Sequence, residues 1–125
     1  MTQKSNPGKT HSATVSLAGE PYVAKLGEAT IALSDRAMIL QEVNGEKSYP
    51  PVVYFPLDDI DPEVLEATDH HTHCPIKGDA SYFSVKAGGQ TLENAAWTYP
   101  KPLAMVGAVK GYVAFYPDKV SVGPA

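Results

Sequence analysis

The sequence predicts a mainly β, single-domain protein, and three observations support that fold class. The chain has 125 residues, which is the size of one small domain with one core. Apolar residues alternate with polar ones over many short segments, as they do in half-buried strands. Ten glycines and 11 prolines supply turns between those segments. We therefore expect a compact, twisted antiparallel sheet or partly open barrel with one short helix.

The domain is expected to span residues 13–125, preceded by a polar, flexible N-terminal arm over residues 1–12. The alternation predicts strands at residues 13–17, 22–24, 29–34, 36–42, 47–55, 80–87, 91–99, 111–116 and 119–122. The pair Asn44 and Gly45 predicts a hairpin turn. Because proline cannot donate to a ladder, Pro50 and Pro51 should place the return strand at an edge or give it a bulge.

One helix is predicted between Asp61 and Asp69. Asp61 is a suitable N-cap, Pro62 suits the first helical position, and Glu63 adds an acid to the first turn. The acidic side chains around it are Asp58, Asp59, Asp61, Glu63, Glu66 and Asp69. We interpret them as a solvated helix face rather than a cation site, because they lack the alternating ligands and central glycine of a calcium loop. A second, short helical turn is expected over residues 102–109.

Charge and cysteine content exclude several classes of protein. Ten basic and 14 acidic residues give a net charge of -4, which argues against a nucleic-acid partner. A single cysteine excludes an internal disulfide and favours a reducing, cytoplasmic location. The apolar stretches are far shorter than the roughly 20 residues of a membrane span, and the N-terminus lacks a signal-peptide pattern. We therefore expect no membrane association and no cofactor, and the sequence leaves homo-oligomerisation open.

Potential metal-binding or reactive side chains are most closely spaced at His70, His71, His73 and Cys74. Imidazole and thiolate are preferred zinc ligands, so the cluster raises the question of a metal site. A closed zinc site draws on two separated ligand pairs, however, and the one remaining histidine, His11, falls in the predicted arm. We therefore predict no metal site, with occasional metal capture by His71 and His73 favoured over a structural one.

Cys74 and Lys77 are the candidate reactive groups. Cys74 could act as a nucleophile with a neighbouring histidine as base and Lys77 beside it, although a small buried side chain is the favoured interpretation. Pro75 and Gly78 stiffen this loop and would hold both side chains in set directions.

Three further residues are candidates for binding. Arg36 is the only arginine, and we favour an ion pair at the rim narrowly over anion binding. An extended chain would place Arg36 about 20 Å from Glu42, so each needs other partners. Trp97 and Tyr99 should share one strand face, where they could stack on a flat ligand, although filling the core is the favoured role.

Three ordered motifs carry a family resemblance: Thr72 to Tyr82, Ala96 to Pro100, and Gly111 to Tyr116. Together they resemble the bacterial and fungal family called domain of unknown function 427. The resemblance implies a small, mostly β domain similar in topology to the zinc-binding exchange-factor-like fold, without its paired cysteines. A nucleotidyltransferase label is sometimes attached to this family, but this sequence lacks the Gly-Ser and paired-carboxylate metal site of that reaction. Ile76 stands where the family usually has an aromatic residue.

The resemblance also implies a candidate pocket around the loop that contains Thr72, Cys74 and Lys77. Its predicted ligand-binding residues are Arg36, Glu42, Tyr54, Thr72, Cys74, Lys77, Trp97 and Tyr99. Residues of these types suit a small anionic or planar ligand. Two alternatives stay open: an enzyme that uses Cys74 or Lys77 covalently, and a structural or interaction domain without a pocket.

Overall fold

The computed structural model describes residues 11–125 and confirms the predicted mainly β class. The strands are β1 (His11–Leu17), β2 (Tyr22–Leu26), β3 (Ala29–Ser34), β4 (Met38–Asn44), β5 (Lys47–Ser48), β6 (Val52–Pro56), β7 (Leu65–Cys74), β8 (Gly78–Ala87), β9 (Gln90–Thr98), β10 (Tyr112–Phe115) and β11 (Ser121–Pro124). Eight strands form a large antiparallel sheet in the order β1-β4-β6-β10-β9-β8-β7, with β5 paired to β4. The other three form a small sheet in the order β11-β2-β3.

The large sheet is curled into a half-barrel. Glu42 lies on β4, next to one edge strand, and Lys77 lies in the turn after β7, the other edge strand. The Nζ atom of Lys77 is nevertheless 2.7 Å from Oε1 of Glu42. Side chains near opposite edges meet in this way because the sheet bends around the face that they share, which we call the concave face. Its buried core residues are Ala13, Leu40, Tyr54, Ala80, Tyr82, Tyr99, Val106, Val109 and Ala114.

The opposite face of the large sheet packs against the small sheet. The period-2 alternation of β6 divides neighbouring residues between the two faces, so Tyr54 belongs to the concave face and Phe55 to the other. The second core contains Ala24, Leu26, Ile31, Ala32, Phe55, Ile60, Val64, Val85, Ala95, Ala96, Val113, Phe115 and Val120. These side chains stabilise the fold by burying apolar surface. We call this face of the sheet the apolar face.

The predicted helix is wrong beyond its first turn. Asp61 is the N-cap as expected, and its Oδ1 accepts a hydrogen bond from the Glu63 N–H at 3.0 Å. The 3-10 turn ends at Val64, however, and the chain continues directly into β7. Pairing with β8, for example Leu65 opposite Val85, gives this segment long-range backbone bonds that a short helix lacks. The predicted acidic helix face therefore does not exist.

The Asn44 and Gly45 hairpin is confirmed, because β4 pairs with β5 across this turn and Gly45 has a φ of 67°. The return strand is split at Pro50 and Pro51, which lie between β5 and β6. The expected edge position is wrong for β6, which lies between β4 and β10. It pairs on both sides because the two prolines fall in the gap between the strands and remove no ladder bond from it.

The concave face is partly covered by the segment that follows β9. A 3-10 stretch over Ala104–Val109, close to the predicted turn, buries Val106 and Val109 against it. Met105 in the same stretch accepts a hydrogen bond at its Sδ from the Ala13 N–H at 3.2 Å. Ala13 belongs to the edge strand β1, so this segment links β1 to the rest of the half-barrel.

The predicted arm falls mostly outside the described residues, since residues 1–10 are not among them. Its last two residues, His11 and Ser12, already belong to β1 and lie opposite Asn44 and Val43 of β4. Cross-strand pairing therefore orders the chain two residues earlier than expected. In the described part of the chain, the helical segments are all too short to cross a membrane.

Candidate functional site

An ion-pair group lies at the opening of the half-barrel. The Lys77 ammonium donates to Oε1 of Glu42 at 2.7 Å, and Nε2 of His11 is 2.8 Å from Oε2 of the same carboxylate. The side chains of Lys77 and Glu42 are only 14% and 15% exposed. Burial alone would raise the pKa of the Glu42 carboxyl, but the hydrogen bonds from His11 and Lys77 outweigh it and hold that pKa below its usual value.

The turn between β7 and β8 fixes the position of Lys77. The Lys77 N–H donates to the Cys74 carbonyl at 3.3 Å, and its own carbonyl accepts from the Leu103 N–H at 3.0 Å. Gly78 follows with a φ of 108°, and a Cβ there would lie 3.2 Å from the Lys101 carbonyl oxygen. Glycine is therefore required both by the backbone conformation and by the close approach of the segment after β9. The hydrogen bonds of the turn and the conformation of Gly78 together fix the backbone from which the Lys77 side chain reaches Glu42.

Three aromatic rings form the floor of the concave face: Tyr54 of β6, Trp97 of β9, and Tyr116, which directly follows β10. Nε1 of Trp97 donates to the Tyr54 hydroxyl at 3.2 Å, and the two rings meet edge to face with centroids 6.3 Å apart. Trp97 also packs against Tyr116, with centroids 4.6 Å apart and planes inclined by 48°. Tyr54 is buried, whereas Trp97 and Tyr116 are half-buried. Part of this aromatic surface is therefore accessible from solvent.

Tyrosine hydroxyls continue the floor toward β7. The Thr72 hydroxyl is 3.0 Å from the Tyr82 hydroxyl, which is 3.4 Å from the hydroxyl of Tyr116. Burial, together with the Tyr82 hydrogen bond, raises the pKa of Tyr116 to about 12. Burial also raises the pKa of Tyr54 well above its ordinary value of 10. These hydroxyls therefore stay protonated at neutral pH and serve as hydrogen-bonding groups.

Tyr99 and Cys74 complete the group. Tyr99 is buried, and the Lys77 ammonium is 6.0 Å from the centroid of its ring. Burial raises the pKa of the Tyr99 hydroxyl above its ordinary value, and the nearby Tyr54 and Cys74 add to this effect. Cys74 is half-buried on the inward side of β7, as is expected for a residue two positions after Thr72.

The fold brings together seven of the eight predicted site residues. These are Glu42, Tyr54, Thr72, Cys74, Lys77, Trp97 and Tyr99. The eighth, Arg36, does not join them, because its guanidinium is 3.2 Å from Asp59 and its side chain is 55% exposed. A hydrogen bond from Ser34 at 2.5 Å and the interaction with Arg36 hold the pKa of Asp59 below its usual value. Arg36 thus forms the rim ion pair that the sequence favoured.

The histidine-rich segment is divided between the two sides of β7. Thr72 and Cys74 face inward, whereas His71 and His73 are exposed and contact Ser81 and Asp79 of β8. Alternation along the strand explains why neighbours in sequence are separated in space. Within residues 11–125, no three His, Cys, Asp or Glu side chains are arranged to hold a metal ion.

Sequence reasoning missed three members of the group: His11, Tyr82 and Tyr116. His11 was assigned to the arm, although residues 11, 13 and 15 continue the alternation of β1 and thus carry a signal for an earlier strand. Tyr82 stands at a strand position that the pattern predicts correctly, whereas Tyr116, predicted as the last residue of a strand, lies just after β10. Their contribution depends on which strands become neighbours, and a period-2 pattern does not contain that information.

Three clefts in the described part of the chain lie away from the concave face. One of about 270 Å³ lies on the outer side of β7 and β8, and one of about 180 Å³ lies beside β3. A third, of about 110 Å³, has mostly apolar walls and lies beside β6 and β10. We describe the concave site by its half-exposed side chains.

Fold and site together define a small β domain with a curled sheet and a polar, aromatic concave face. The chain matches the model of the family described as domain of unknown function DUF427 over residues 15–123, and it belongs to that family. This finding confirms the family suggested by the three sequence motifs. A comparison with curated proteins gave no match.

Proposed function

We propose that the protein binds a small planar ligand on the concave face, with a polar group of that ligand directed toward Lys77 and Glu42. The observation that carries the proposal is the half-buried ring of Trp97, which packs on Tyr116 and belongs to the same concave face as the ion-pair group. Aromatic surface that is left accessible beside a few convergent polar groups is typical of small-molecule sites.

The charges of the side chains at the site indicate which class of ligand suits it. Lys77 is already neutralised by Glu42, so the site does not offer an unpaired cation to a simple inorganic anion. The second carboxylate oxygen of Glu42 bonds to His11. A ligand that both donates and accepts hydrogen bonds suits this arrangement better than one that carries charge alone. The flat, polar member of the two predicted ligand classes is therefore favoured over the purely anionic one.

The chain contains its own reporters for this proposal. Trp97 is the only tryptophan and Cys74 is the only cysteine, and both belong to the site. Trp97 emission, excited at about 295 nm to spare the tyrosines, should change on titration with 4-hydroxybenzoate or nicotinamide, which are flat and both donate and accept hydrogen bonds. Cyclohexanecarboxylate, which has the charge without the flat ring, should have no effect. Labelling of Cys74 by a maleimide should be slowed by the same flat ligands.

A pair of lysine variants provides the control. Lys77→Met should abolish the emission change, whereas Lys101→Met, which removes an exposed lysine outside the concave face, should leave it intact. If no flat ligand alters Trp97 emission or Cys74 labelling, the proposal is wrong and a structural or interaction role is favoured. If cyclohexanecarboxylate acts as strongly as 4-hydroxybenzoate, the site recognises charge and not planarity.

An enzyme that uses Cys74 or Lys77 covalently is the second candidate. Its supporting observation is the proximity of Cys74 to the Lys77 turn, where their backbones are hydrogen-bonded. The ion pair with Glu42 disfavours Lys77 as a nucleophile, because a paired ammonium has no free electron pair. The rate of Cys74 alkylation against pH separates the alternatives. A midpoint at the ordinary thiol pKa of about 8.5 contradicts nucleophilic catalysis, and a midpoint well below it supports it.

A further inference from the structure

The outer side of the β7–β8 hairpin carries a histidine pair that the proposed function does not use. His71 and His73 are two positions apart on β7, so both leave the same side of the strand, about 6.8 Å apart at the backbone. Their partners across the ladder are Ser81 and Asp79 of β8. Both histidines are exposed, with the His73 side chain 67% accessible. The hairpin thus presents two imidazoles side by side.

Hydrogen bonds orient the two rings. Nδ1 of His73 is 2.7 Å from Oδ1 of Asp79, and an ionised carboxylate can only accept, so Nδ1 carries the proton. Nδ1 of His71 makes a longer contact of 3.4 Å with the Ser81 hydroxyl. In both rings Nε2 lies on the side opposite this contact. An imidazole whose other nitrogen donates to a carboxylate is the usual arrangement of a histidine metal ligand.

A cleft adjoins one side of the pair. It has a volume of about 270 Å³ and is lined by His71, Asp79, Ser81, Pro100 and Lys101. Lys101 is exposed, so water and salt screen its charge. Both imidazoles are exposed on the same side of β7, so their rings can turn toward one ion at the usual distance of about 2.0–2.1 Å.

We propose that this surface binds one divalent late first-row transition-metal ion through Nε2 of His71 and Nε2 of His73. Imidazole suits Cu²⁺, Ni²⁺ and Zn²⁺, and the affinity should be highest for Cu²⁺. Water completes the coordination, since the described residues hold no group of three potential ligands. The sequence disfavoured a closed, four-ligand zinc site and favoured occasional metal capture by His71 and His73; the site proposed here is open and has these two protein ligands.

Calorimetric titration of the tag-free protein with NiCl₂ at about pH 7.5 tests the proposal. Each of His71→Ala and His73→Ala should weaken Ni²⁺ binding at least about tenfold, because loss of one imidazole removes the chelate. Asp79→Asn should weaken it by about tenfold through the lost orientation of His73. His70→Ala is the matched control and should bind Ni²⁺ as the wild type does, because the His70 ring packs on Tyr82 with centroids 4.5 Å apart.

A spectroscopic measurement distinguishes ligation from a general effect on the hairpin. The electron paramagnetic resonance spectrum of the Cu²⁺ complex should show coupling to two imidazole nitrogens in the wild type and to one in either histidine variant. Circular dichroism verifies folding, and His71→Gln and His73→Gln replace any alanine variant that fails to fold. Equal Ni²⁺ affinity in the wild type and both histidine variants would overturn the proposal, and so would a loss in His70→Ala as large as theirs.

Discussion

The two faces of the large sheet are built from different kinds of residue, although the same strands supply both. The core of the apolar face is a cluster of hydrocarbon side chains, with Phe55 against Phe115 at 5.9 Å between ring centroids. The concave face contains hydroxyls, an indole and a little-exposed ion pair, and it leaves Trp97 and Tyr116 half-exposed. Polar groups cost free energy to bury and must then be paired. This difference is the basis for the proposal that the concave face, and not the apolar face, is the recognition surface.

The largest effect is expected on the apolar face. Phe55→Ala removes a ring that is 0% exposed and should lower the free energy of unfolding by about 3–5 kcal/mol. Tyr54→Phe, on the adjacent concave position, loses only a hydroxyl that accepts from Trp97 and should cost about 0.5–1.5 kcal/mol. Urea denaturation measures both. Equal losses would contradict the division of roles between the faces.

An intermediate effect is expected from the ion-pair group. In Glu42→Gln, Lys77 loses its counter-charge while its side chain is still little exposed. The free energy of unfolding should therefore fall by about 1–3 kcal/mol. The measurement is again urea denaturation at neutral pH, with Glu46→Gln, an exposed position in the neighbouring hairpin, as the control. A Glu42→Gln protein as stable as the control would show that the curled sheet does not depend on this contact.

The Glu42 carboxylate should also make the free energy of unfolding depend on pH. The pKa of Glu42 is lowered in the folded protein from its ordinary value of 4.5, so the folded state holds its proton less tightly than the unfolded chain. Its contribution is therefore fully present above about pH 4.5 and is lost as the pH falls through the lowered value. Unfolding free energy should decline less steeply between about pH 5 and about pH 3 in Glu42→Gln than in the wild type. Parallel curves would contradict this linkage.

The smallest effect is expected from the rim ion pair. Arg36→Gln breaks a 3.2 Å contact with Asp59 in which the arginine side chain is more than half exposed. Exposed pairs are screened by solvent, so the loss should be about 0–1 kcal/mol and should decrease in salt. A loss as large as that of Glu42→Gln would show that exposure does not distinguish the two ion pairs.

The sequence predicted most of the strands because alternation is a local property, but it assigned the residues of β7 to a helix and a loop. It also identified Lys77, Cys74 and Gly78 as one stiff loop, since proline and glycine restrict the backbone wherever they occur. It failed where distant strands decide the outcome. The Asp61 cap predicted a helix, but after one turn the chain pairs with β8 as strand β7 instead. The ion pair between Lys77 and Glu42 depends on the curvature of the whole sheet, and a short sequence pattern does not contain that information.

The central claim is that a flat, polar ligand binds the concave face. Amide chemical shifts of ¹⁵N-labelled protein titrated with nicotinamide test it most directly, because every strand reports separately. We predict that the shifts concentrate at Thr72, Lys77, Trp97 and Tyr116, while β2 and β3 stay unchanged. Shifts confined to the small sheet, or none at saturating nicotinamide, would contradict the assignment of the concave face as the binding site.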